Sequence, residues 1–338
     1  MFFILRKKLQ KIAIILVAIN LLACSHQPDF KDISRLAERG DAGAQAKLAE
    51  LYVEGEVVPQ DYKKAFEWYS KAANQGNAEA QNNLGAMYAL GQGVDQNYKK
   101  AFEWYSKAAN QGNAEAQNNL GAMYALGQGV DQNYKKAFEW YSKAAEQGEV
   151  KAQNNLGAYY ANGDGGVKNY QKAFEWYNKA AAQDNAEAKY YLGILYEEGY
   201  GVTQDYKKAF EWYSQAAAQN YADAQNNLAA LYAQGKGVEL NNKKAFELYS
   251  KAAEKGNSIA QNNLGACYAL GQGVNQDYKK AFEWYSKAAQ QENDEAQFTV
   301  GMMYYKGEGV PQNNELAEKW LRKAAENGNK DALSLFEE

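Results

Sequence analysis

The sequence predicts an all-α protein, a right-handed α-solenoid of helix-turn-helix units that are each 36 residues long. Three observations carry the prediction. Alanine recurs without a break at Ala44, Ala80, Ala116, Ala152, Ala188, Ala224, Ala260, Ala296 and Ala332. The same spacing links Trp68, Trp104, Trp140, Trp176, Trp212, Trp284 and Trp320, with Leu248 in the one remaining place. Residues 74–109 and 110–145 are identical at every position. One helical pair cannot bury its own apolar face, so a chain written this way stacks neighbour on neighbour.

The elements follow in order. Residues 1–23 read as a signal peptide. Arg6, Lys7, Lys8 and Lys11 form a basic n-region before the apolar run 12–22, whose 11 residues are too few to span a ~30 Å hydrocarbon core. The run ends in Leu21-Leu22-Ala23-Cys24, which is similar to the lipobox of bacterial lipoproteins. That resemblance implies lipid attachment at Cys24, by acylation such as palmitoylation. An ordinary signal peptide that happens to contain a cysteine is the plainer alternative. Ser25 follows, and by resemblance to the enterobacterial sorting rule it implies the outer membrane, facing the periplasm or the cell surface. Residues 24–31 are expected to be a lipidated tether and 32–40 an N-terminal capping half-repeat. Eight repeats are expected over 41–328, with a C-terminal capping half-repeat over 329–338.

The unit beginning at Asn77 shows the local logic. Asn77 is an N-cap candidate, and Ala80, Leu84, Met87 and Tyr88 then form an apolar helical face. Gly91 stands where the helix end needs positive φ. Asn97 restarts the helix; its equivalents Asp61, Asn133, Asn169, Asp205, Asn241, Asp277 and Asn313 are all Asn or Asp. Ala101, Trp104 and Ala108 make one stripe and Phe102, Tyr105 and Ala109 the next, so the second helix is expected to be wedged between neighbours. Gly85 is expected at a close helix–helix approach. Lys99, Glu103 and Lys107 read as a solvated ridge of i,i+4 pairs, each contributing about 0.2–0.5 kcal/mol.

Composition excludes several functions. The 338 residues carry 37 Lys+Arg against 41 Asp+Glu; without residues 1–23 the balance is 33 against 41, a formal charge of −8. A chain this acidic repels phosphate backbones, which argues against nucleic acid as a partner. One His and two Cys supply neither a multi-His metal site nor a disulfide framework. No cofactor and no metal are expected. No G-x-S-x-G, H-E-x-x-H or P-loop occurs, and no Ser has Lys three residues later.

The segments AQNNLGAMY, GQGV and KKAFEWYSKAA between Ala80 and Ala109 resemble the Sel-1-like repeat family, relatives of tetratricopeptide repeats. The pattern covers about nine tenths of the chain and recurs eight times. It departs at GDGGV (163–167), at Leu248 in place of Trp, and at Glu318 in place of Phe. The per-repeat cysteines of some family members are missing, and Cys267 reads as a small core hydrophobe. The resemblance implies a non-enzymatic scaffold that binds proteins or peptides on the concave face of the solenoid. It also leaves an alternative, an enzyme acting on peptidoglycan or β-lactams like cysteine-rich relatives, which the missing Ser-x-x-Lys does not support.

Two groups are candidate binding residues. The recurring QNN places Asn82, Asn83, Asn118, Asn119, Asn154, Asn155, Asn226, Asn227, Asn262 and Asn263 in a ladder, with the first Asn of each pair expected to point away from the core. Amides can donate to and accept from a peptide backbone; equally, Asn inherited by duplication can simply solubilise a helix face. Tyr190, Tyr191, Tyr200 and Tyr221 form an aromatic patch, either a binding anchor or drift in a tyrosine-rich chain.

Overall fold

The computed structural model describes residues 30–336 apart from 165 and 167, and within them the chain is all-helical, with eighteen helices. The expected signal peptide, Cys24 and most of the tether lie outside the described residues. The chain divides into two compact units, Met1–Gln147 and Gly148–Glu338.

The first unit holds α1 (Phe30–Glu38), α2 (Ala42–Glu54), α3 (Tyr62–Asn74), α4 (Ala78–Leu90), α5 (Tyr98–Asn110), α6 (Ala114–Leu126) and α7 (Tyr134–Glu146). Helix α1 starts inside the stretch expected as tether, because Phe30 packs with Ile33, Ala37, Leu48 and Leu51 and covers the first repeat. From there each repeat contributes a first and a second helix of 13 residues. Asn77 and Asn97 accept hydrogen bonds from the backbone N–H groups of Ala80 (2.8 Å) and Lys100 (3.0 Å), and Gly91 ends α4 at φ 70°. Ala80, Leu84 and Met87 of one helix bury against Ala65, Tyr69, Ala72 and Ala73 of the helix before it. Gly85 does sit at a close approach, since a Cβ there would lie 2.8 Å from the Tyr105 ring.

Two details differ from the sequence reading. Trp104 is only half-buried; the fully buried aromatic of the second helix is Tyr105. Lys107 places its ammonium 3.8 Å from the centre of the Trp104 ring, so the i,i+3 aromatic captures the lysine assigned to a Glu–Lys ridge.

The second unit holds α8 (Val150–Asn162), α9 (Tyr170–Ala182), α10 (Ala186–Glu198), α11 (Tyr206–Ala218), α12 (Ala222–Gln234), α13 (Asn242–Glu254), α14 (Ser258–Leu270), α15 (Tyr278–Gln290), α16 (Asp294–Lys306), α17 (Asn314–Glu326) and α18 (Lys330–Ser334). Its second helices are all capped as expected by Asn or Asp side chains. Among its first helices, α12 breaks the rule: Tyr221 is the N-cap residue and makes no side-chain cap bond. Cys267 is a buried free thiol in the apolar cluster of Ala245, Tyr249 and Leu264.

Candidate functional site

The QNN triplet is an interface device before it is anything else. Gln81 donates to the Ala73 carbonyl at 3.0 Å, closing the end of the preceding repeat, and accepts from Gln111, the C-terminal cap of its own second helix, at 2.7 Å. Gln45 and Gln117 do the same in the first unit, and Gln261 and Gln297 in the second. Each satisfies a carbonyl at a helix end that water cannot reach.

The first asparagines do not point away from the structure as expected. Asn82, Asn118, Asn154 and Asn226 are all buried, and Asn262 is half-buried. A position facing away from a helix's own partner faces the first helix of the adjacent repeat, because a solenoid encloses each first helix on three sides. Asn82 Oδ1 accepts from Asn119 of the next repeat at 3.1 Å, and Asn226 Oδ1 from Asn263 at 3.0 Å. The second asparagines (Asn83, Asn119, Asn155, Asn227 and Asn263) and Asn262 reach solvent, half-buried on the first-helix face.

In α10 this lattice is rewritten as Lys189-Tyr190-Tyr191. Lys189 is buried where other repeats have Gln, and its ammonium pairs with Asp184. Asp184 holds φ 67° where Gly76 stands in the first unit, and it also accepts from Gln219 at 3.0 Å. Tyr190 packs against Tyr191 at 5.4 Å, Tyr221 at 5.3 Å and Tyr213 at 5.8 Å between centroids. Tyr191 stacks on Tyr177 at 5.0 Å. The phenol of Tyr213 donates to Glu197 at 2.6 Å and accepts from Asn227 at 3.1 Å.

Tyr191 and Tyr200 line one open cleft of about 220 Å³ with Ala158, Lys168, Tyr170, Tyr177 and Ile194. Tyr200 stacks on Tyr170 at 4.6 Å, and Lys168 lies 4.9 Å from the Tyr170 ring centre. Tyr190 and Tyr221 do not line this cleft, but Tyr190 meets Tyr191, so the four predicted tyrosines form two adjoining groups joined by the Tyr191 ring. Tyr170, Tyr177 and Tyr213 are periodic residues, and their share in the patch was hidden by their regularity.

Two carboxylates border the Tyr190–Tyr191–Tyr221 group. Burial holds the Glu187 carboxyl above the usual carboxylate range; the neighbouring Asp223 adds to the rise, and a hydrogen bond from Asn154 opposes it. Asp223 accepts from Asn257 at 2.6 Å. Burial, reinforced by Asp223, pushes the Tyr190 phenol up to about 12. Among the described residues no group of three or more His, Cys, Asp or Glu is arranged to hold a metal ion. Nor is any described helix long and apolar enough to cross a membrane.

Stacked helical pairs of this length, locked by buried amides, define an α-solenoid interaction module. The Sel1 repeat model matches residues 42–77, 78–113, 114–149, 150–185, 186–221, 222–257, 258–293 and 294–329, and the chain belongs to the Sel1-repeat family. It is similar to a protective antigen of uropathogenic Escherichia coli strains displaying an SLR fold, with 38% identity and a TM-score of 0.75 over 91% of this chain. The chain spans 66% of that antigen, just under two thirds of its length. It is also similar to a Sel1 repeat protein from Oxalobacter formigenes, with 33% identity and a TM-score of 0.66 over 93% of this chain and 91% of that one. No curated protein matches the chain. Sel1-repeat proteins generally act as protein–protein interaction scaffolds, binding protein partners.

Proposed function

We propose that this chain is a non-enzymatic adaptor, tethered to the bacterial envelope by a lipid on Cys24, that captures a protein segment on the first-helix face around Tyr191. The observation that carries the binding part is the break in an otherwise repeated amide lattice. Five other repeats have Asn at the place of Tyr191; here that ring and Tyr200 line an open aromatic cleft of about 220 Å³. Half-exposed aromatics bury large area at small entropic cost, which is what an interaction anchor needs. The neighbouring Asn155 and Asn227 extend the same face with amides.

A photoreactive benzoylphenylalanine placed at Tyr191 in living cells tests this reading. It is expected to crosslink a discrete protein, while the same group at Asn83, where the lattice is intact, does not. Crosslinking at neither position, or equally at both, would overturn the reading. The lipid anchor is supported by the basic n-region, the short apolar run and Leu21-Leu22-Ala23-Cys24. Cys24→Ala is expected to move the protein from the membrane pellet to the soluble fraction. Unchanged partitioning would remove the anchor from the proposal.

A further inference from the structure

The lattice lapses at two first asparagines, Asn154 and Asn262, whose Oδ1 atoms have no hydrogen-bond partner among the described residues, and Asn154 is the one beside the tyrosines. In the intact lattice, the first Asn of one repeat accepts from the second Asn of the next, as Asn82 does from Asn119 and Asn226 from Asn263. The donor due to Asn154 falls at position 191, which is tyrosine. Asn154 is only 4% exposed, its amide nitrogen is spent on Glu187, and its Oδ1 has no hydrogen-bond partner among the described residues. A buried acceptor without a donor costs about 1–3 kcal/mol, so the fold carries an unmet demand for an N–H at this spot.

The surroundings specify what kind of N–H. Glu187 and Asp223 occupy equivalent places on consecutive first helices, both half-buried. Each is held by a neutral amide, from Asn154 and Asn257, and neither forms a salt bridge among the described residues. Of the neighbouring lysines, Lys189 pairs with Asp184, and Lys255 donates to the Asn220 carbonyl and, at 3.2 Å, to Gln225; Lys151, at the equivalent place on the preceding first helix, is exposed and forms no ion pair among the described residues. Tyr190, Tyr191 and Tyr221 wall the carboxylates with rings 5.3–5.4 Å apart. Carboxylates without a cation, beside phenol faces and a bare carbonyl acceptor, match a cationic donor on both charge and hydrogen bonding.

We propose that the site formed by Glu187, Asp223, Tyr190, Tyr191, Tyr221 and Asn154 receives the ammonium or guanidinium group of a Lys or Arg side chain on an extended segment of a partner protein. The half-exposed ring of Tyr191 turns aside to let the donor reach Asn154 Oδ1. This rests on the adaptor reading and names the chemistry of the segment that the adaptor takes.

The test uses the full chain in a neutral detergent and fluorescein-labelled Gly-Ser peptides bearing Lys, Arg or Glu at alternate positions, read by anisotropy. The Lys and Arg peptides are expected to bind and the Glu peptide not, with binding weakened by added salt. The double variant Glu187→Gln, Asp223→Asn is expected to weaken binding at least tenfold. Glu79→Gln with Glu115→Gln, which neutralises the equivalent pair where the lattice is intact, is expected to leave it unchanged and so controls for bulk acidity. Tyr191→Asn, which returns the missing donor to Asn154, is expected to weaken binding several-fold while circular dichroism shows the helices intact. Equal losses from the two double variants, or equal binding of the Glu peptide, would overturn the proposal. If the Tyr191 crosslink forms but no basic peptide binds, the cation assignment fails and the adaptor reading stands. If basic peptides bind in the expected pattern but no crosslink forms in cells, the cation site stands and the adaptor reading fails.

Discussion

Between pH 9 and pH 11 the first unit is expected to lose about 4 kcal/mol of folding free energy. Tyr69, Tyr105 and Tyr141 are only 4–6% exposed, and burial pushes all three phenols upward, Tyr141 to about 12 and the other two further. In the unfolded chain the same groups ionise near pH 10. Their stabilisation is therefore complete below pH 10 and is lost as the pH rises through the folded values. One unit above the free value, each phenol favours the unfolded chain by about 1.4 kcal/mol, and three give about 4. The second unit carries Tyr177, Tyr213, Tyr249 and Tyr285 in equivalent places, all shifted the same way by burial, and the Cys267 thiol is pushed up to about 11. Urea titrations followed by circular dichroism at the two pH values measure the loss, with phenolate absorbance appearing as the helices melt. Tyr105→Phe is expected to stay within about 1 kcal/mol at pH 7 and to remove about a third of the first unit's alkaline slope. A flat profile would mean the phenols are not held from water.

Gly93→Ala is expected to destabilise the chain by about 3 kcal/mol, and Gly76→Ala by about 1 kcal/mol. Both glycines have positive φ, 72° and 90°, so both variants carry the left-handed penalty. Only Gly93 is also crowded: an added Cβ would overlap the Tyr62 carbonyl of the preceding repeat, whereas nothing lies within 4 Å of one at Gly76. The protein itself shows the tolerance of the open place, since Asp184, Asn220 and Glu292 occupy it with φ of 64–67°. Urea midpoints of the two variants separate strain from steric conflict, and equal shifts would place the whole cost in the backbone angle.

The period, the helix pairs, the Asn and Asp caps and the tight glycine at Gly85 were legible in the sequence because each is a local rule that recurs in most repeats. The role of Asn82 was not. A helical wheel divides a helix into core and solvent, but here a third direction points at the next repeat, and no single-helix pattern contains it. The signal was present in another form: residues 37 apart are both Asn at 82 and 119, 118 and 155, and 226 and 263, and the pairing lapses at 154 and 191, at 190 and 227, and at 262 and 299. Tyr177 and Tyr213 were overlooked for the opposite reason, since perfect regularity concealed their part in an irregular patch. Lys107 was assigned to Glu103 by spacing alone, though a neighbouring indole face competes for the same ammonium.

The buried amides also bear on how such a chain can grow. Gln81 grips the repeat before it and Asn82 the repeat after it, so every consensus repeat carries matching male and female edges. Another copy of residues 74–109 inserted beside the original would meet only joints that the first unit already contains. The segment around Asp184, Lys189 and Tyr190 has no such freedom, because its contacts suit only the neighbours it has. Length can drift in the uniform stretch while the tyrosine segment stays anchored to its flanks, an arrangement in which the number of repeats evolves separately from the irregular segment.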